Sequence, residues 1–188
     1  MVNALRFPSA ASLLRMALLC LLGVVAVAVE AAPLGLAPGS VPSPDLLALT
    51  VAVMAVRRPD AVPTLLVFAL GLMRDLLTDL PVGAGALGLV LLAEALKGES
   101  AAINRHSLLR EWALVAAALF AMMAFQYILT LATLAQPPYI MAVVRQWALS
   151  VAAWPAVFAL MRGLFGIRAP SLAPAGPRQP GPTRPGAA

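Results

Sequence analysis

Arg74, Asp75 and Asp79 close an apolar run in the stretch FALGLMRDLLTDLPVGAGAL, residues 68–87, and no other residues here are better placed for chemistry. Asp75 and Asp79 stand four apart, so on a continued helix they share a face. Two carboxylates on one face suggest general acid–base work, which would also need a substrate cleft and an assisting nucleophile or metal. No His, Cys or second acidic motif lies near them in the sequence. A proton or cation relay could recruit Glu94, but Lys97 stands three residues beyond it, a spacing that fixes a helix end without transport. Glu30 ends an earlier apolar run in the same plain way. The favoured reading is mechanical: the corner clasps neighbouring spans, because a charge in hydrocarbon costs about 2.5–3.5 kcal/mol at mid-bilayer and needs a partner. Three donors are open for Asp75: Arg74, Arg145, or the backbone N–H groups around 82–85.

The remaining reactive types offer less. Cys20 is the one cysteine of the chain and lies in an apolar run, so no internal disulfide or cysteine-rich metal site can form. His106 stands by itself in a polar stretch and reads as a solvated loop residue. Gly83, Gly85 and Gly88 lack the preceding strand and downstream acid of a dinucleotide loop. Ala84 and Gly88 instead have the small-xxx-small spacing that lets helices approach closely in lipid. Gln126, within Met122, Met123, Phe125 and Tyr127, is expected to hydrogen-bond between helices. Neither a cofactor site nor a metal site is expected, nor enzymatic activity.

Composition explains why so few charges are available. Of 188 residues 62% are hydrophobic and 11% charged, against about 25% charged in a soluble domain. Hydrocarbon must solvate much of this chain, and continuous Ala- and Leu-rich runs favour helices over a barrel. The net charge of +5 does not point to nucleic acid, since basic residues flank apolar runs and form no stripe with aromatics.

Six helices are predicted, over about 13–32, 44–57, 62–77, 82–96, 112–134 and 144–165. Ser43 is the expected N-cap of the second, with Pro44 in its first turn and Asp45 complementing the positive helix end. Its 14 residues (44–57) reach only about 20 Å of a ~30 Å core, so it should sit against protein. The third and fourth form a tight hairpin around TDLP, and KGESAAINRHSLLRE reads as a polar loop. Residues 1–168 make one membrane domain, and the Pro/Gly-rich 169–188 should be a disordered cytoplasmic tail.

If all six cross, eleven of the 13 Lys and Arg fall on one side, with Arg74 and Arg145 towards the other. The positive-inside rule then places both termini in the cytoplasm. AVAVEAAP behind Arg6 and Arg15 also fits a signal-peptide cleavage site, and the uncleaved helix is preferred on length.

The string from PDLLALTVAVMAVRRPDAVPTLLVFALGLMRDLLTDLPVGAGALGLVLLAEAL onward resembles the MreD family of bacterial rod shape-determining membrane proteins. The resemblance runs over about residues 40–168 and includes LLREWALVA, QPP and WPAVFALMRGLFGIR. It implies a non-catalytic scaffold of the cell-elongation complex in the inner membrane. It further implies direct binding to MreC and, within the complex, association with MreB, RodA and the transpeptidase partner of RodA, in support of lateral peptidoglycan synthesis. The implied architecture is similar to the six-helix substrate-binding subunits of energy-coupling-factor transporters, and the alternative function is a vitamin-binding subunit of that kind. By the same resemblance Gly71, Asp75, Pro81 and Gly83 shape the hairpin, and Asp45, Arg57, Arg58, Pro59 and Asp60 set the short helix and its turn. Arg74 departs from the pattern, where an apolar or small residue is expected.

Overall fold

The computed structural model describes residues 10–31, 43–78, 81–103, 108–133 and 137–165. Six helices are found: α1 (Ala10–Ala31), α2 (Leu46–Arg57), α3 (Thr64–Leu77), α4 (Ala84–Ile103), α5 (Leu108–Ala132) and α6 (Ile140–Phe165), with a 3₁₀ turn at Pro59–Ala61 between α2 and α3. Asp79, His106 and the 169–188 tail lie outside the described residues.

Among the described residues three helical stretches, Ser12–Ala31, Leu108–Ala132 and Ile140–Gly163, are long and apolar enough to cross a membrane. α2 is a different kind of helix. At 12 residues it spans about 18 Å, and every residue from Leu47 to Val56 is buried. A helix that is apolar all round belongs inside a protein, and α2 is packed by α1, α4 and α6. Its shortness is therefore answered by protein, as its length predicted. The helices around it follow one another in a series in which α3 touches α1 and α4, and α5 touches α4 and α6. α1 contributes Leu19, Ala26 and Val27 to the common core.

Three boundaries are corrected. α5 begins at Leu108, four residues before its predicted start at 112. α4 runs on to Ile103, so the stretch read as a polar loop from Lys97 is helical over its first half. Lys97 pairs with Glu94 at 2.8 Å on this extension, and Glu94 also accepts from the Thr64 hydroxyl. The i,i+3 pair and the good helix formers around it carry the helix past its apolar part. α6 begins at Ile140, four residues before the apolar run alone indicates, because its first turn needs no burial: Tyr139, Ile140 and Met141 are exposed.

α5 and α6 run antiparallel, and two tryptophans set their register. The Trp112 indole on α5 donates to the Val151 carbonyl on α6 at 3.0 Å. The Trp147 indole on α6 returns a bond to the Ala116 carbonyl on α5 at 3.0 Å. Trp147 also meets the Phe120 ring edge-on, with centroids 5.9 Å apart. Trp112→Phe and Trp147→Phe keep the ring and delete the donor. Each is expected to cost about 0.6 kcal/mol, the average for an interhelical hydrogen bond in a membrane, measured by denaturant titration in mixed micelles.

Candidate functional site

The charged corner lies at the bundle end where α2 and α4 begin and α1, α3 and α5 finish. Asp45, not Ser43, is the N-cap of α2: its Oδ1 accepts from the Ala48 N–H at 2.8 Å. Its own N–H donates to the Ser150 hydroxyl on α6 at 2.8 Å. Its second oxygen, Oδ2, accepts from Arg74 Nη1 at 2.8 Å, 29 residues away. Asp45 and Arg74 are each 4% exposed, so this is a buried ion pair in which the carboxylate is hydrogen-bonded on both oxygens.

Asp75 takes the third of its possible partners. Its Oδ2 accepts from the Gly83 N–H at 2.9 Å and the Ala86 N–H at 3.0 Å. A carboxylate thus satisfies amides that the opening turn of α4 leaves without intrahelical acceptors and meets the positive end of its dipole. Arg145, the other side-chain candidate, is exposed on α6 and takes no part. Gly83 permits the turn, with φ +96 in the left-handed region, where a side chain costs about 1–2 kcal/mol.

Close approach does the rest. A Cβ at Gly71 would stand 2.6 Å from Ala86 Cα, so α3 and α4 touch backbone to backbone. A Cβ at Gly85 would lie 1.9 Å from Asp75 Oδ1 and 2.9 Å from Arg74 Nη2. Gly85 therefore makes room for the corner, a role not read from the sequence; a glycine two residues from the turn and opposite two buried charges was the available signal. Gly88 receives Gln126, whose amide nitrogen would be 2.8 Å from an added Cβ. The expected interhelical hydrogen bond of Gln126 is not made, for Nε2 is buried with no partner. Gln126 packs through the gap that Gly88 leaves.

Two further corrections concern acids. Glu30 is no simple helix end: its Oε1 accepts from the Leu47 N–H at 3.1 Å, joining α1 to the start of α2. Glu111, which sequence reading passed over, is 2% exposed and paired with Arg57 at the opposite end of the bundle. The Arg57 guanidinium also stands 5.0 Å over the Phe158 ring. Arg57 thus ties α2 to α5 and α6. Arg58 is the C-cap residue of α2, its N–H bonded to the Met54 carbonyl at 2.7 Å. Pro59 opens the 3₁₀ turn and Asp60 within it is exposed.

Beside the corner is an open polar cavity of about 190 Å³, lined among others by Glu30, Asp45, Arg74, Thr78, Gln126 and Gln146. It is roomy enough for several waters. The corner is consequently more than the clasp expected of it: the same ion pair that joins α2 to α3 forms a cavity wall.

Taken together, apolar spans around a buried central helix, with charges spent on joining helices, define a structural helical membrane protein. The chain belongs to the MreD family, rod shape-determining protein MreD, which matches residues 10–164. It is a rod shape-determining membrane protein of a structural family, part of the rod-shape complex and so built to meet protein partners. No curated protein and no solved structure matches the chain.

Proposed function

We propose that this chain is a non-catalytic membrane scaffold of the cell-elongation complex. It binds MreC directly, and within the complex it associates with MreB, RodA and RodA's transpeptidase partner, supporting lateral peptidoglycan synthesis. It lies in the bacterial inner membrane with α1 retained, six crossings and both termini in the cytoplasm. The grouping of eleven of 13 basic residues at one side supports that orientation. The overall arrangement is taken to be similar to energy-coupling-factor substrate-binding subunits.

The observation that carries the reading is how the corner's charges are used. Asp75 is committed to α4 amides and Arg74 to Asp45, both interhelical bonds that hold the hairpin against α2. Such bonds make a rigid frame, which a scaffold requires to present a fixed surface. A vitamin-binding subunit is less well supplied: the polar cavity, about 190 Å³, falls below the about 300–1,000 Å³ of ligand pockets, and the groove of about 390 Å³ between α5 and α6 is lined by apolar and aromatic residues with no charged group to orient a ligand.

Photo-crosslinkers at the exposed positions Leu76, Leu87, Leu91 and Ile128, activated in native membranes, test the assignment. MreC is the expected captured partner, and Asp75→Ala or Gly83→Leu is expected to lower that capture and disturb rod shape. Capture and cell shape unaltered in both variants would remove the hairpin from the interface.

A further inference from the structure

We propose that the first turn of α5 is a brace that sets the angle at which α6 bends at Pro155. Pro155 lies inside α6. Proline carries no N–H and its ring crowds the carbonyl four residues earlier, so a helix bends there and that carbonyl loses its donor. Here the carbonyl is that of Val151, and the Trp112 indole on α5 donates to it at 3.0 Å. In a membrane such a carbonyl must be answered by a neighbouring element, because lipid offers it no partner. Trp112 thus supplies from α5 the hydrogen bond that Pro155 withholds. Trp147 makes the contrast. Its indole donates to the Ala116 carbonyl at 3.0 Å, but the residue four places on is Phe120, whose N–H serves the same carbonyl in an unbroken helix. That bond is an addition; the one from Trp112 is a replacement.

The same turn of α5 also reaches α6 beyond the proline. Glu111, next to Trp112 and 2% exposed, pairs with Arg57, and the Arg57 guanidinium stands 5.0 Å over the Phe158 ring. Phe158 in turn stacks on Trp154 across Pro155, with centroids 5.1 Å apart. Two adjacent residues of α5 therefore hold α6 on both sides of the proline, Trp112 at Val151 directly and Glu111 at Phe158 through Arg57. A joint gripped on one side is free to turn; gripped on both, it has one setting. The outward face of the far segment is unobstructed, since Pro155, Ala156, Ala159 and Leu160 are exposed. A shift of the first turn of α5 is passed to the aim of residues 156–165, and α2, which carries Arg57, shares that linkage.

The test uses the full chain in lipid nanodiscs, with Cys20→Ala and spin labels on Leu160→Cys and Ile128→Cys, both exposed positions. One narrow distance distribution is expected with the brace intact. Trp112→Phe and Phe158→Leu each remove one grip and are expected to broaden it, whereas Trp147→Phe leaves it narrow. Adding Pro155→Ala returns a backbone N–H to the Val151 carbonyl. It is expected to restore the narrow distribution of Trp112→Phe and to cut the fall in its unfolding midpoint by about half or more, while the fall for Trp147→Phe stays as it was. An unbroadened distribution in either Trp112→Phe or Phe158→Leu would overturn the proposal. Equal broadening by Trp147→Phe would also overturn it, because loosening of the whole α5–α6 pair would then be the cause. Broadening that persists in Trp112→Phe/Pro155→Ala would do the same, since the indole would be acting by packing alone.

Discussion

Arg74→Ala is expected to cost about 3–5 kcal/mol of stability, the range for removing one partner of a buried ion pair. The carboxylate left behind is the reason. Asp45 Oδ2 would be left in a 4%-exposed site without the guanidinium that donates to it, while Oδ1 still caps α2 through Ala48. A single charge must then be carried at low dielectric, or neutralised at the expense of the cap. Asp45→Asn/Arg74→Met separates pair from charge. Asn retains an oxygen for the Ala48 N–H, and Met fills much of the arginine volume without charge, so the double variant is expected to recover more than half of the loss. Denaturant titration of wild type, both single variants and the double variant completes the cycle. A loss below 1 kcal/mol for Arg74→Ala, the value typical of exposed pairs, would show that the corner is wet and the pair contributes little.

Gly85→Ala is expected to be nearly as damaging although it adds one methyl group. Its Cβ would stand 1.9 Å from Asp75 Oδ1 and 2.9 Å from Cγ, so the carboxylate must leave its place. In leaving it gives up the Gly83 and Ala86 N–H groups, and hydrogen bonds to a charged group contribute about 1.5–3 kcal/mol each. A loss of about 3 kcal/mol is therefore anticipated. Gly98→Ala provides the contrast on the same helix. Nothing lies within 4 Å of its added Cβ, so helix propensity decides and the variant gains about 0.5–1 kcal/mol. In an Asp75→Ala background, which removes the 1.9 Å contact and leaves the flexible end of Arg74, 2.9 Å away, to give way, Gly85→Ala is expected to cost about 1 kcal/mol or less. A full-sized loss in that background would mean that the Arg74 guanidinium or the packed backbone, not the carboxylate, makes Gly85 necessary.

These variants mark the boundary between what was legible and what was not. The apolar runs, their breakers and the mismatch of a short second helix, read as 14 residues (44–57), with the bilayer could be read directly, since hydrophobic length and Pro or Gly interruption are local properties. That Asp75 needs a partner was legible too, from an acid at the end of the third apolar run. Its partner was not: two side chains and a set of amides were all within plausible reach. Arg74 was the least readable residue, because its neighbour in sequence is Asp75 while its hydrogen bond goes to Asp45 across the bundle. The pairing of Glu111 with Arg57 escaped for the same reason, being 54 residues apart.

From its residues alone this protein was determined to be a helical membrane protein resembling the MreD family, with a charged hairpin between its third and fourth helices. Tertiary structure decided which charges meet, that α2 is enclosed by protein, and that a polar cavity opens beside the corner. The physical reason is geometric. Burying a face or capping an end depends on residues within a turn or two, whereas an ion pair or a cavity depends on how separate helices are rotated and spaced. Here glycines at 71, 85 and 88 set that spacing, by letting α3, α4 and α5 approach to distances a side chain would forbid.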